Sequence, residues 1–164
     1  MAQLFVISAP SGTGKTSLIH KVLEEELASK TKLGISCTTR QRRENEEEGV
    51  AYFFLDEDAF NKRLDEGNFL EHATVFGNLY GTPKDWVVST ISQGFDVVLE
   101  LDVQGAIQVK NAYPDAKTIF IIPPSYKDLE ERLVNRDQDS QETIEKRLSE
   151  AKQEVLSGKD FDHL

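Results

Sequence analysis

The chain of 164 residues contains one cysteine, Cys37, and three histidines. A single cysteine excludes an internal disulfide, and no cysteine or histidine stands in the spacing of a structural zinc site. Long apolar runs are missing as well. No segment approaches the roughly 18 apolar residues of a membrane helix, and the opening "MAQLFVIS" has neither the basic flank nor the apolar core of a secretory leader. Basic residues are outnumbered, 19 Lys and Arg against 29 Asp and Glu. The resulting formal charge of −10 repels nucleic acid or an anionic membrane unless a local basic patch intervenes. Low-complexity tracts and internal repeats are absent. These absences predict a reduced, soluble, cytoplasmic protein that binds neither nucleic acid nor membrane. The length suits one core rather than two, and 38% apolar with 29% charged residues is ordinary for a globular domain.

The most informative stretch is "LFVISAPSGTGKTSLIHKVLEEELASK". Residues 3–8 read as a buried strand, and residues 15–28 as a helix with Leu18, Ile19, Val22, Leu23 and Leu27 on one face. The turn between them fits the phosphate-binding pattern G-x-x-x-x-G-K-[ST] except that Ala9 stands at the first glycine, a small steric change. Gly12 and Gly14 let successive N–H groups point into one concavity beside the positive end of the helix dipole. Ala9, Pro10, Ser11, Gly12, Thr13, Gly14, Lys15 and Thr16 are therefore candidate ATP-binding residues. Lys15 can then reach the β and γ phosphates, and the Thr16 hydroxyl can ligate magnesium.

A second strand is expected over Leu33–Cys37. The segments that follow are the polar "TTRQRRENEEEG", the strand-like "VAYFFL", the helical "DEDAFNKRLDEG", the strand-like "FLEHATVF" and the Gly-rich turn "GNLYGTP". Together they predict a small α+β excursion over about 36–85. Then "FDVVLELD" at 95–102 reads as a buried strand ending in a carboxylate, "VQGAIQVKNAY" as a helix and "AKTIFIIP" at 116–123 as another strand. Alternating strands and helices predict a parallel sheet covered on both faces. Asp102, with Glu100 two residues back, stands where such folds place a magnesium-organising acid; a helix cap is the alternative. The 125–157 segment is polar and helical, and "KDFDHL" reads as the start of a further strand.

Arginines are concentrated at two places. Arg40, Arg42 and Arg43 fall within four residues, and with the hydroxyls of Tyr52 and Tyr80 they suit a phosphate; a solvated loop balanced by "ENEEE" is the alternative. Arg132 and Arg136, four apart, share a helix face, and Arg147 begins the next helical stretch. Three arginines on a lightly packed flap suit a lid over a transferring phosphoryl group, while surface Arg–Glu pairing is the plainer reading.

"SAPSGTGKTSL", "SCTTRQRRENEEEGVAYFF", "FLEHATVFGNLYGTP", "LELDVQGA" and "IFIIPPS", in this order and spacing, resemble the guanylate kinases of bacterial type over essentially the whole chain. The resemblance implies an α/β, three-layer P-loop nucleoside monophosphate kinase fold. It has a parallel core sheet (1–35, 86–124 and 158–164), an inserted α+β GMP-binding region (36–85) and a helical lid (125–157). The implied reaction is phosphorylation of GMP, and of dGMP, by ATP with Mg2+, in purine metabolism. Arg40, Arg43, Tyr52 and Tyr80 would hold the GMP phosphate. Ser36, Glu71 and Thr82 would face the guanine, with Asp102 beside them. Lys15, Arg40, Arg132, Arg136 and Arg147 would stabilise charge on the transferred group. Mg2+ would be held through Thr16 and, through water, Asp102 or Glu100. Glu71 suits its role on chemistry alone: the guanine edge offers N1–H and an amino group, so one carboxylate accepts both, whereas adenine presents an acceptor at N1. ATP and GMP are the implied partners, with homo-oligomerisation left open. Members of the family continue for a few tens of residues past the position of Leu164, through a last strand, an Asn-Asp segment near the adenine and a final helix. A guanylate-kinase-like protein-binding module without catalysis is the alternative; such modules tend to lack the phosphate loop and lid arginines that stand here. A GTPase switch finds no N-K-x-D motif.

Overall fold

The computed structural model describes residues 2–10, 12–24, 29–134 and 141–164. In chain order the first half comprises β1 (Leu4–Ser8), α1 (Lys15–Val22), β2 (Thr31–Leu33), β3 (Cys37–Thr38), β4 (Phe53–Phe54), α2 (Glu57–Asp65) and β5 (Phe69–Val75). The second comprises β6 (Asn78–Pro83), α3 (Lys84–Ser92), β7 (Asp96–Glu100), α4 (Val103–Ala112), β8 (Lys117–Phe120), α5 (Tyr126–Val134), α6 (Gln141–Ser157) and a 3-10 turn at Gly158–Asp160.

Strands β2, β7, β1 and β8 form one parallel sheet in that order. β1 is central because its side chains are apolar on both faces. Leu4 and Val6 pack with Val97 and Leu99 against Ala106 and Val109 of α4 and Val87 of α3. Burying side chains of this size stabilises by roughly 1.5–3 kcal/mol each. The order also creates a switch point, since β1 and β7 are neighbours whose following segments lead to different places in the sheet. The register Ile7↔Glu100 brings the loop after β1 beside Leu101 and Asp102. A second, mixed sheet has the order β4-β3-β6-β5. It joins the first through Leu70, which inserts into the main core.

Several expectations change in detail. The strand expected over Leu33–Cys37 is two short strands in different sheets, broken where Gly34 N–H donates to the Val98 carbonyl at 2.7 Å. A side chain at Gly34 would collide with Leu99, so the chain passes β7 there and leaves the first sheet. "GNLYGTP" is mostly the strand β6, and the turn is confined to Phe76 and Gly77, both with positive φ. Pairing to both β3 and β5 outweighs the turn propensity of its glycine and proline. "KDFDHL" supplies a 3-10 turn and then one bridge, with His163 paired to Ile119.

α1 covers the opposite face of the first sheet only partly. Ile19 is buried, but Leu18 and Val22 are exposed and border an apolar cavity of about 480 Å³ with Phe5, Ile7, Val98, Ile119 and Ile121. Leu27, expected on the same face, lies outside the described residues. Among the described residues no helix is long and apolar enough to cross a membrane.

Candidate active site

The loop from Ala9 to Gly14 curls because Gly12 and Gly14 adopt φ of 86° and 91°, a region that costs other residues about 1–2 kcal/mol. Thr13 N–H closes the turn on the Pro10 carbonyl at 3.2 Å, and Leu18 N–H starts the helix on the Gly14 carbonyl at 3.1 Å. Ala9, Pro10, Gly12, Gly14, Lys15 and Thr16 line a cavity of about 310 Å³, together with Ser17, Asp102 and Glu154. Ser11 lies outside the described residues.

Lys15 closes one wall. Its Nζ donates to the Leu101 carbonyl at 2.8 Å and lies 3.9 Å from Glu100 Oε1. Burial pulls its pKa down, and Glu100, Asp102 and Glu154 pull in the opposite direction. Thr16 Oγ1 donates to Glu100 Oε1. Asp102 caps α4, accepting from Gly105 N–H at 2.7 Å, so the cap is its structural role while its carboxylate also lines the cavity.

A second cavity of about 420 Å³ adjoins the first. Lys15, Thr16 and Asp102 belong to both, and the second adds Ser36, Tyr52, Thr82 and Glu100. Behind Thr82 stands Glu71, its cross-strand partner, which is only 7% exposed. Thr82 Oγ1 donates to Glu71 Oε1 at 2.6 Å. Burial raises the Glu71 pKa, partly offset by the Thr82 hydroxyl, and the Asp102 charge adds to the rise.

The arginine cluster sits at the edge of this cavity. Arg40 donates to Glu46 Oε1 at 2.7 Å and to the Gln41 carbonyl at 2.8 Å, and its guanidinium lies 5.4 Å from the Tyr52 ring centroid. Glu46, followed by Tyr80, holds the Arg40 guanidinium firmly in its charged form. Tyr52 and Tyr80 meet edge to face with centroids 5.9 Å apart. The second oxygen of Glu46 accepts from the backbone N–H of Arg43 at 2.9 Å, while the Arg43 and Arg42 side chains face solvent. Thus Arg40, Tyr52 and Tyr80 come together, and Arg43 joins them through its main chain.

Of the arginines expected on a lid, Arg132 reaches the phosphate loop: its Nη1 donates to the Thr13 carbonyl at 2.6 Å. Arg136 and the side chain of Arg147 lie outside the described residues. α5 and α6 share a small contact of Leu129, Ala151 and Leu148. Two charged residues at the site escaped the sequence reading. Glu46 was hidden in an acidic run that looked like solvated counter-charge. Glu154 carries no signal at all, being one more acid on a polar helix.

Comparison with known proteins agrees with this geometry. The family model described as guanylate kinase matches residues 1–164. The chain is 51% identical over 162 residues to the guanylate kinase of Hahella chejuensis, covering 99% of this chain and 77% of that protein. It is also 51% identical over 163 residues to the guanylate kinase of Coxiella burnetii, covering 99% and 78%. The crystal structure of guanylate kinase from Anaplasma phagocytophilum superposes with a TM-score of 0.69 at 30% identity, covering 99% of this chain and 74% of that one. A phosphate loop, an adjoining cavity with a buried carboxylate behind its wall and an α/β core are thus joined by sequence relationship, and the chain belongs to the guanylate kinase family.

Proposed function

We propose that this protein transfers the γ-phosphoryl group of ATP to GMP, and to dGMP, giving ADP and GDP. The observation that carries the reading is the pair of adjoining cavities with Lys15, Thr16 and Asp102 in their common wall. A donor in the first and an acceptor in the second meet at that wall. ATP lies along Ala9–Thr16, and Ser11 is among the residues proposed to contact it. GMP occupies the 36–85 region, with its phosphate on Arg40, Arg43, Tyr52 and Tyr80 and its base against Ser36, Glu71 and Thr82. The core comprises 1–35, 86–124 and 158–164, and 125–157 is the lid.

The acceptor phosphate is already an anion, so no general base is needed, and catalysis rests on positioning and electrostatics. Lys15 exchanges the Leu101 carbonyl for phosphate oxygens, and Arg132 exchanges the Thr13 carbonyl in the same way. Arg136 and Arg147 are the further lid arginines proposed to contact the transferred group. Closure expels water, which would otherwise divert ATP to hydrolysis.

The donor set fits magnesium. Thr16 Oγ1, Glu100 and Asp102 are hard oxygen groups around one wall, and Mg2+ is typically held by one or two protein oxygens plus substrate phosphates and water. Among the described residues no three His, Cys, Asp or Glu side chains gather as a cage, so the phosphates would supply most of the coordination. Bound there, the ion would supply neutralisation of the phosphate charge. Thr16 would hold the ion through its hydroxyl, which donates to Glu100 here, and Glu100 and Asp102 would hold it through water.

A coupled assay of ADP formation with ATP and Mg2+, offering GMP, dGMP, AMP, CMP or UMP in turn, tests the reading. Turnover with the guanine nucleotides alone is expected. Binding of GMP without turnover would instead favour a protein-binding module, and turnover with AMP would overturn the assigned role of Glu71.

A further inference from the structure

The strand that carries Glu71 is held at its open edge by one side chain of the core. Among the described residues β5 is the outermost strand of the second sheet and pairs with β6 alone. On its other side, His72 N–H donates to Gln108 Oε1 at 3.1 Å, and Gln108 Nε2 donates back to the His72 carbonyl at 3.2 Å. A primary carboxamide offers a donor and an acceptor at the spacing a peptide group presents. Gln108 therefore stands in for a neighbouring strand at one residue.

The position of that residue gives the clamp its meaning. The pairing of β5 with β6 shifts register between Phe69 and Glu71, leaving Leu70 as an extra residue, and there the alternation of the strand breaks so that Leu70 and Glu71 are both buried. Leu70 enters the core with Ala106 and Val109, while Glu71 turns to Thr82. Glu71 is thus flanked by two anchors, the Leu70 side chain and the His72 main chain, and both are fixed to α4. The same helix begins at Asp102 in the wall shared by the two cavities. A carboxylate that must meet two N–H groups of one base edge tolerates little displacement, because hydrogen bonds weaken steeply with misalignment.

We propose that Gln108 is a positioning residue for guanine selection: through the His72 main chain it sets where Glu71 stands relative to the phosphate-loop wall. The proposal rests on Glu71 being the guanine reader. Loss of a merely stabilising contact would lower the melting temperature without changing which base is preferred, whereas loss of a positioning contact changes the preference.

The test compares GMP with inosine monophosphate, which lacks the amino group that Glu71 reads, in Gln108→Met, a variant of similar length with neither polar partner. The ratio of kcat/KM for GMP over inosine monophosphate is expected to fall by roughly three- to tenfold, as for one or two modest hydrogen bonds. KM for ATP is expected to stay unchanged, and the His72 amide should exchange faster with solvent. Glu71→Gln is measured alongside. Should Glu71→Gln lower the ratio while Gln108→Met leaves it unaltered, the positioning role is overturned and the Glu71 reading stands; a ratio unaltered in both variants overturns both. If Gln108→Met does not fold, Gln108→Glu serves instead. It keeps the acceptor for His72 N–H but turns a carboxylate toward the His72 carbonyl, so the same fall is expected and an unchanged ratio refutes the role.

Discussion

Replacing Glu71 by glutamine exchanges one carboxylate oxygen for an amino group at a buried position beside Thr82. Thr82 Oγ1 donates to Glu71 Oε1 at 2.6 Å, and the remaining carbonyl of a glutamine can still accept that bond. The guanine edge is different, because it presents two N–H donors and the variant offers one acceptor fewer. Hydrogen bonds to charged groups contribute about 1.5–3 kcal/mol. Losing one, with an N–H left facing an N–H, should lower kcat/KM for GMP by roughly 30- to 160-fold, corresponding to about 2–3 kcal/mol. KM for ATP should not move.

Stability should change in the opposite sense. Burial raises the Glu71 pKa above its unfolded value, so the folded state favours the protonated acid. The contribution of this group to stability is present below the unfolded pKa and is lost as pH rises through the raised folded value. Glu71→Gln should therefore melt higher than the parent at neutral pH, with the gain shrinking toward acid. Guanine recognition needs the ionised form, so kcat/KM for GMP in the parent should fall on acidification from above the ordinary carboxylate range of about 4.3, while the variant stays flat there. The assays are steady-state kinetics and thermal melts across pH. A loss in kcat/KM below about fivefold, against the charged-bond magnitude above, or a lower melting temperature at neutral pH, would refute the assignment.

Lys15→Ala should reduce transfer by at least about a hundredfold with the circular dichroism spectrum preserved; substantial residual turnover would mean the phosphate loop is misassigned. Glu46→Gln loses the ion pair that aims Arg40, and steady-state kinetics should show a severalfold higher KM for GMP with kcat little altered. Asp162 accepts from Thr118 N–H at 2.9 Å, Thr118 Oγ1 at 3.0 Å and Lys110 Nζ at 2.9 Å, and these hold its pKa well below the usual range. Its contribution to stability is therefore present above the ordinary carboxylate pKa and lost as pH falls below it. Asp162→Asn should melt lower than the parent at neutral pH, and the gap should begin to close only below about pH 4 and go on narrowing as acidification approaches the lowered folded pKa.

The phosphate loop was readable because its signals are local. Glycines at the two positive-φ positions, an apolar strand before them and a helix after them all lie within twenty residues. The core strands β1, β7 and β8 were legible for the same reason, as short apolar runs bounded by polar ends. β6 was not, since its glycine and proline point to a turn and only the neighbours β3 and β5 make it a strand. The break between β2 and β3 depends on how closely Gly34 passes Leu99, which the residues from Leu33 to Cys37 do not reveal. Glu46 looked like one member of an acidic run until folding placed it on Arg40. Gln108 reads as an ordinary polar residue on a helix until β5 lies beside it.

What the sequence determined by itself is the set of chemical groups and the local backbone geometry of the loop, because conformational preference and hydrogen bonding act there over a few residues. Only the tertiary structure decided which groups meet. Lys15 rests on a carbonyl 86 residues away and Arg132 on one 119 residues away, while the strand that carries Glu71 is clamped by an amide 36 residues further along from His72. Such contacts are set by strand order and helix packing, whose energies come from burial summed over the whole core rather than from any short stretch.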